Sequence, residues 1–404
     1  MLTLFTQDFR KPLLAFSAAA TGVLLCACIV LGMISISSWA ERKLDAFPFK
    51  QEDWLRYLLP SRFTGEDKER IMLTGPSTVR ENLLYRQFEE AFPEFSIYQG
   101  GISLGTIDDV TASMEYIKKV YGTNALPDIV VLGISPRFID NIPDKRPFSL
   151  GLDLYSPFYT ARHTNSGIEL IHKGPVDSLK ARLKFLIHKQ PGRFRTALLA
   201  ILNEWLSDGN GVDLDPDADK TQRTAQQQLV EKLFKHPISA SVIRNGQFKR
   251  ALDFEFTQVL AWLISPYKYL LDKPAKVEGL NNWLTDPDSW WRTVYSWNPA
   301  ETQAQTSASI KRFTGFIKMH NIKLMVINFP ERDISRELYD DAHYQAYLDI
   351  VRTSLGNVPF LNYREFSRTE EFYDAEHTVY RGSLRLSNEV IKELKVFLGN
   401  QNKR

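Results

Sequence analysis

Between positions 13 and 39 no side chain carries a charge. That run exceeds the roughly 20 apolar residues a helix needs to cross a bilayer. In lipid, a single segment of this length satisfies its backbone groups only as a helix. Residues 13–39 are therefore predicted to be a transmembrane helix, with Trp39 suited to the interface. Arg10 and Lys11 precede it and Arg42 and Lys43 follow it, so flanking charge orients the segment poorly. A tail over residues 1–12 is most simply left in the cytoplasm, which makes the segment an uncleaved signal anchor and puts the rest of the chain outside. Leu25-Cys26-Ala27-Cys28 has the outline of a lipoprotein cleavage box, yet the chain stays apolar well past Cys28. Because Cys26 and Cys28 are the two cysteines present, no disulfide staples the remainder and the redox compartment is not identified.

The remaining chain is long enough, within 404 residues, to bury one large core or two smaller ones. A net charge of +2 argues against a nucleic-acid binder and against a polyanionic tail. Residues 40–69 read as a juxtamembrane linker with a short helix. Residues 70–140 then alternate short apolar strands with amphipathic helices. Ile71-Met72-Leu73 is a first strand. Val79, Leu83, Leu84, Phe88 and Phe92 line one face of a following helix. Thr78 with Glu81 reads as its capping box, leaving Ser77 just outside the cap. A second strand over 95–98 ends in Gln99-Gly100-Gly101. The next helix carries Ile107, Val110, Met114, Ile117 and Val120 and closes at Gly122. Positions 129–132 form a third strand.

The alternation breaks over 141–300, which reads as a mainly helical insertion with helices near 177–189, 194–207, 221–234 and 255–271. It resumes over 301–404, with a helix bearing Ile310, Phe313 and Ile317, strands at 323–328 and 358–362, and a final helix. Such alternation implies right-handed crossovers and a parallel sheet covered on both faces. Ligands of such sheets bind beyond the carboxyl ends of the strands. Ser77, Gly101, Ser135, Asp374 and His377 all follow strands at that edge.

The chemistry suggested there begins with Tyr373-Asp374-Ala375-Glu376-His377. An Asp three residues ahead of a His can orient the imidazole, and such a His calls for a nucleophile. Ile71-Met72-Leu73-Thr74-Gly75-Pro76-Ser77 runs a strand into a turn that presents a serine. A serine hydroxyl needs a base to attack a carbonyl; His377 would take its proton while Asp374 holds the imidazole. The plainer readings are a helix-start serine at Ser77 and an Asx-type turn with a surface histidine at Asp374-x-x-His377. The remaining histidines have no comparable setting.

Strand-turn-Ser near the start and Asp-x-x-His near the end resemble the SGNH (GDSL-type) hydrolase superfamily. Gly101-Ile102-Ser103 resembles its second block, which makes Gly101, with the backbone of Ser77, a candidate oxyanion donor. Gly75-Pro76-Ser77 departs from the usual Gly-Asp-Ser, and the third block lacks its Gly-x-Asn-Asp. Leu132-Gly133-Ile134-Ser135-Pro136-Arg137-Phe138 stands there and resembles the Ser-Pro-x-x-Phe segment of the membrane-anchored DltD-like branch. Ser135 is the candidate substitute for the missing Asn donor. A Gly-x-Ser-x-Gly elbow fits poorly, since Val79 stands two residues after Ser77.

The resemblance implies a flavodoxin-like three-layer α/β/α fold of SGNH type. It also implies a serine acyltransferase or esterase acting, without cofactor or metal, on a cell-envelope glycopolymer outside a bacterial cytoplasmic membrane. A multi-spanning membrane O-acyltransferase is the implied partner. Two other readings stay open: a non-catalytic scaffold that keeps the fold, and a lipase-like esterase on membrane lipids.

Other features are weaker. Asp213, Asp215 and Asp217 alternate as in a calcium loop, but Ala218 and Thr224 stand where Gly and Glu are required. Lys180, Arg182, Lys184 and Lys189 line a helix whose other side carries Leu179, Leu183, Leu186 and Ile187. It can rest on an anionic membrane or be an ordinary exposed face. Trp283, Trp290, Trp291 and Trp297 suit core packing, sugar stacking or a membrane partner.

Overall fold

The computed structural model describes the backbone of residues 2–44, 55–58, 63, 68–102, 105–139, 147–164, 167–194, 197, 299–337, 339–372, 376–378 and 380–401. Among them are seven strands: β1 (Arg70–Pro76), β2 (Ser96–Ile102), β3 (Ile129–Ile134), β4 (Tyr159–Thr164), β5 (Gly167–His172), β6 (Lys323–Asn328) and β7 (Phe360–Asn362). Five pair in parallel in the order β2-β1-β3-β6-β7. Counting the sheet strands alone this is 2-1-3-4-5, the doubly wound order in which a switch point lies between the first and third strands. β4 and β5 form a separate antiparallel hairpin inside the region expected to be helical.

The helices are α1 (Leu2–Leu44), α2 (Leu55–Leu58), α3 (Ser77–Asn82), α4 (Tyr85–Ala91), α5 (Ile107–Tyr121), α6 (Pro136–Ile139), α7 (Pro147–Tyr155), α8 (Pro175–Lys184), α9 (Pro299–Met319), α10 (Asp333–Arg336), α11 (Asp341–Leu355) and α12 (Tyr380–Gln401). Strand parity divides the core between two layers. Met72, Val130, Leu132, Leu324 and Val326 point to one face, where Val110, Met114 and Ile117 of α5, Phe313 of α9 and Tyr347 and Val351 of α11 cover them. Ile71, Leu73, Ile129, Val131, Met325 and Ile327 point to the other, under Val79 of α3, Phe88 of α4 and Leu386, Val390 and Leu394 of α12. Each such buried side chain contributes about 1.5–3 kcal/mol relative to exposure.

The boundaries differ from expectation in instructive ways. α1 runs as one helix beyond the apolar segment at both ends, and its stretch Ala15–Trp39 is long and apolar enough to cross a membrane. The supposed linker is partly core: Tyr57 is 1% exposed, and Phe63 stacks on Tyr98 and Tyr121. The helix predicted after Ser77 is two helices, because Leu83 and Leu84 turn extended and the Leu84 N–H donates to Ser387 Oγ of α12 at 2.8 Å. Val79, Leu83, Phe88 and Phe92 are nevertheless buried together, and Leu84 is buried too.

No capping box starts α3. Pro76 is its N-cap with φ −71°, no side chain caps it, and buried Thr78 Oγ1 has no hydrogen-bond partner. The capping box occurs instead on α5, where Thr106 and Asp109 serve each other. In the insertion, Lys173 buries its ammonium against the end of α7 and donates to the carbonyls of Leu152, Asp153 and Ser156 at 2.9, 2.6 and 2.9 Å. The Leu152 carbonyl also accepts from the Ser156 N–H at 3.1 Å, whereas those of Asp153 and Ser156 belong to the helix end, where carbonyls run out of helical donors. The helices expected over 194–207, 221–234 and 255–271, the acidic loop and the four tryptophans lie outside the described residues, apart from Phe194 and Ala197 of the first stretch, both helical.

Candidate active site

The path from sequence to site starts at Gly75-Pro76. Gly75 has φ +144°, and an added Cβ would sit 2.4 Å from the Gly133 carbonyl oxygen, so a glycine is needed where β1 passes β3. Proline then fixes the backbone for an immediate helix start. Ser77 becomes the first residue of α3 rather than the residue before its cap. It is 7% exposed, at the carboxyl end of β1. Its N–H belongs to the first turn, which has no acceptor within the helix.

His377 reaches Ser77 from the far end of the chain. Its Nε2 lies 2.9 Å from Ser77 Oγ. With the imidazole proton on Nδ1, the hydroxyl donates to Nε2, the arrangement by which a histidine removes a serine proton. Asp374, expected to orient the ring, lies outside the described residues. A second carboxylate stands close: buried Glu376 places Oε1 3.8 Å from His377 Nε2.

The loop that carries His377 is held by a residue the sequence reading passed over. Asn82, at the end of α3 and fully buried, donates from Nδ2 to the Glu376 carbonyl at 2.9 Å. Its Oδ1 accepts from the Thr378 N–H at 2.8 Å. One amide thus fastens the backbone on both sides of His377 to the helix that begins with Ser77. Ser383 of α12 adds a second tie, donating to the Glu81 carbonyl at 3.0 Å and lying 2.8 Å from Thr378 Oγ1. No local pattern marks Asn82; an Asn at a helix end is common, and its partners lie at the other end of the sequence.

The three proposed oxyanion donors fall in different settings. Gly101 lies within β2, paired with Gly75, not in a loop after the strand. A Cβ there would come within 3.1 Å of Pro76 O and of Arg80 N and Cβ, so Gly101 packs directly on the turn that carries Ser77. The Gly100 carbonyl accepts from Tyr57 Oη at 2.5 Å and Thr74 Oγ1 at 3.1 Å. Since the peptide is trans, the Gly101 N–H points the opposite way from that carbonyl. Ser135 directly follows β3; it is 6% exposed, and its Oγ has no hydrogen-bond partner. Ser103 lies outside the described residues.

Every residue of α3 is buried, including Arg80 and Glu81, whose Nε and Oε1 are 3.0 Å apart. Two charges removed from water need such pairing. Beyond β6 and β7 lies another polar cluster that sequence reading missed. Asn328, Tyr344, Tyr347 and Asn362 are linked by hydrogen bonds of 2.8–2.9 Å. Next to them Arg364 donates to Glu331 at 3.2 Å and stacks 3.8 Å from the Tyr344 ring centre. Burial pushes the Glu331 carboxyl above its ordinary range, against the pull of Tyr339 and Arg364.

The model of an uncharacterised family matches residues 300–398, the part that runs from α9 into α12 and carries His377 but not Ser77. No curated protein matches the chain.

Proposed function

We propose that the chain is a membrane-anchored serine acyltransferase or esterase of SGNH type, working on an ester of a cell-envelope glycopolymer outside the cytoplasmic membrane. The observation that carries the chemical part is the 2.9 Å contact between Ser77 Oγ and His377 Nε2, made by residues 300 positions apart. A serine at a helix start has no need of a histidine, and a surface histidine has no need of a buried serine. The 2-1-3-4-5 sheet order and the common carboxyl edge of Ser77, Gly101, Ser135 and His377 support the same reading. The resemblance of the Gly-Pro-Ser, Ser-Pro-x-x-Phe and Asp-x-x-His segments to DltD-like proteins supplies the substrate class, the outward orientation and a multi-spanning O-acyltransferase as partner.

In this mechanism His377 takes the Ser77 proton as Oγ bonds to the ester carbon. The carbonyl oxygen becomes an oxyanion facing the backbone N–H groups of Ser77 and Gly101 and the Ser135 hydroxyl. As the carbon–oxygen bond to the leaving alcohol breaks, His377 returns its proton to that alcohol. Water or a sugar hydroxyl, deprotonated by the same imidazole, then releases the acyl group from Ser77.

Labelling of the full chain in membranes with a serine-reactive fluorophosphonate tests this. The wild type should label, and Ser77→Ala and His377→Ala should not. A folded wild type that fails to label, alone and with co-expressed acyltransferase, would sink the catalytic reading and leave a scaffold that has kept the fold.

A further inference from the structure

Helix α8 carries its apolar stripe on the wrong side for a soluble domain. Ala181 is buried and Phe185 packs on the core. Val176, Leu179, Leu183 and Ile187, spaced three, four and four residues apart, lie on the opposite face and are 65, 58, 48 and 63% exposed. Residues so spaced share one side of a helix, and in a soluble protein that side is turned to the core. Lys180 and Lys184 border the stripe on one flank, and Arg182 and Lys189 on the other. Asp177, the acidic exception, sits 3.6 Å from the Lys180 ammonium.

The position of this helix says what covers the stripe. Beyond Lys184 the helical backbone continues to Gln190, which is buried, and Gln190 Nε2 lies 3.4 Å from Ser37 Oγ. Arg193 holds the other side of the same amide, donating to Oε1 at 2.6 Å. Ser37 is fully buried and lies two residues before the end of the apolar stretch Ala15–Trp39 of α1. The helical backbone that continues α8 therefore meets α1 at the level where a membrane-spanning stretch leaves the hydrocarbon.

We propose that α8 lies in the plane of the membrane interface. Val176, Leu179, Leu183 and Ile187 enter the boundary of the acyl chains, and the four flanking cations face anionic headgroups. An exposed apolar stripe bordered by Lys and Arg is the pattern of interfacial helices, and the long cationic side chains can reach back toward the headgroups. The domain would then be attached at two points, and its tilt fixed. The proposal rests on Ala15–Trp39 being a membrane anchor.

The test uses the full chain in nanodiscs of phosphatidylcholine and phosphatidylglycerol, with Cys26 and Cys28 replaced by serine. An environment-sensitive fluorophore goes on one new cysteine at a time: Leu183→Cys, Glu169→Cys on β5 as a water-exposed reference, and Val23→Cys within α1. Lipids with a nitroxide near the headgroup should quench the Leu183→Cys probe several-fold more than the Glu169→Cys probe, with emission shifted to the blue. Equal, weak quenching at both, with the Val23→Cys probe quenched by nitroxides deep in the acyl chains, would overturn the proposal while leaving the anchor intact. A blue-shifted but unquenched probe at position 183 would overturn it in favour of protein covering the stripe. An unquenched Val23→Cys probe would remove the anchor, and the proposal with it.

Discussion

Asn82 does for His377 what no sequence motif announces. Its two partners are 294 and 296 positions away, and it pairs the carbonyl before His377 and the N–H after it within one side chain. In Asn82→Ala both backbone groups lose their buried partner, at about 1–3 kcal/mol each. A catalytic group displaced by about an ångström loses on the order of 100-fold in rate. The expected result is fluorophosphonate labelling slowed roughly 10- to 100-fold in a variant that still labels at Ser77. An unchanged labelling rate with a lowered melting temperature would make Asn82 structural only. The meeting of Ser77 and His377 was legible because both follow strands at one edge of the sheet. Asn82 was not, because only the folded chain brings its partners together. Gly101 was half legible: the glycine could be singled out, but its place inside β2 depends on pairing with Gly75.

Elements were read well where burial sets their ends and poorly where a distant side chain does. β6 runs over the predicted 323–328, since five of its six residues are buried and the apolar run marks it. The division between α3 and α4 was invisible, because the Leu84 N–H finds Ser387 rather than the next turn of its own helix. Caps behave likewise: Thr78 had the pattern and Thr106 has the bonds.

α11 offers a test of such a cap through pH. Asp340 accepts from the His343 N–H at 2.8 Å, and chiefly this bond, then the His343 ring, draws its carboxyl below the ordinary 3.8. A depressed carboxyl contributes stability that is present above its unfolded value and lost as pH falls through the folded one. Asp340→Asn keeps an acceptor but cannot titrate. Thermal melts from pH 6 to pH 2 should therefore show the wild-type advantage narrowing below about pH 4. A constant difference across that range would mean that the charge has no part in the cap.

At the scale of the molecule, the sheet is closed on its far side by charge as well as by apolar packing. Arg364 after β7 and Glu331 after β6 are both buried and paired, and the ring of Tyr344 on α11 stacks on the guanidinium. Arg364→Ala leaves an uncompensated buried carboxylate, which costs about 3–5 kcal/mol near neutral pH. The sign with pH is opposite to that of Asp340. A carboxyl raised by burial favours the folded state while protonated, and that contribution is lost as pH rises through the folded value. Denaturant unfolding of the variant should therefore show a deficit that shrinks as the buffer is made acidic. A deficit independent of pH would show that the lost cation was not balancing Glu331. The parallel α/β architecture was legible from alternation alone. The hairpin β4–β5 was not, since its apolar residues are few and, among the described residues, it pairs only with itself.

The neighbour relation between β3 and β6 has a consequence for the chain as it is made. β3 ends at Ile134 and its partner begins at Lys323, so one long edge of the young sheet stays open while the intervening segment is synthesised. At the usual 5–20 residues per second that is about 10–40 seconds in which Val130, Val131 and Leu132 pair with β1 on one side and with nothing on the other. An open apolar edge is a template for pairing with other chains. A ribosome tethered at the membrane by α1 would hold that edge beside the bilayer throughout. The yield of this protein would then be set by how fast its second half arrives, so synonymous codons that slow translation between positions 135 and 322 should aggregate it without changing a single residue.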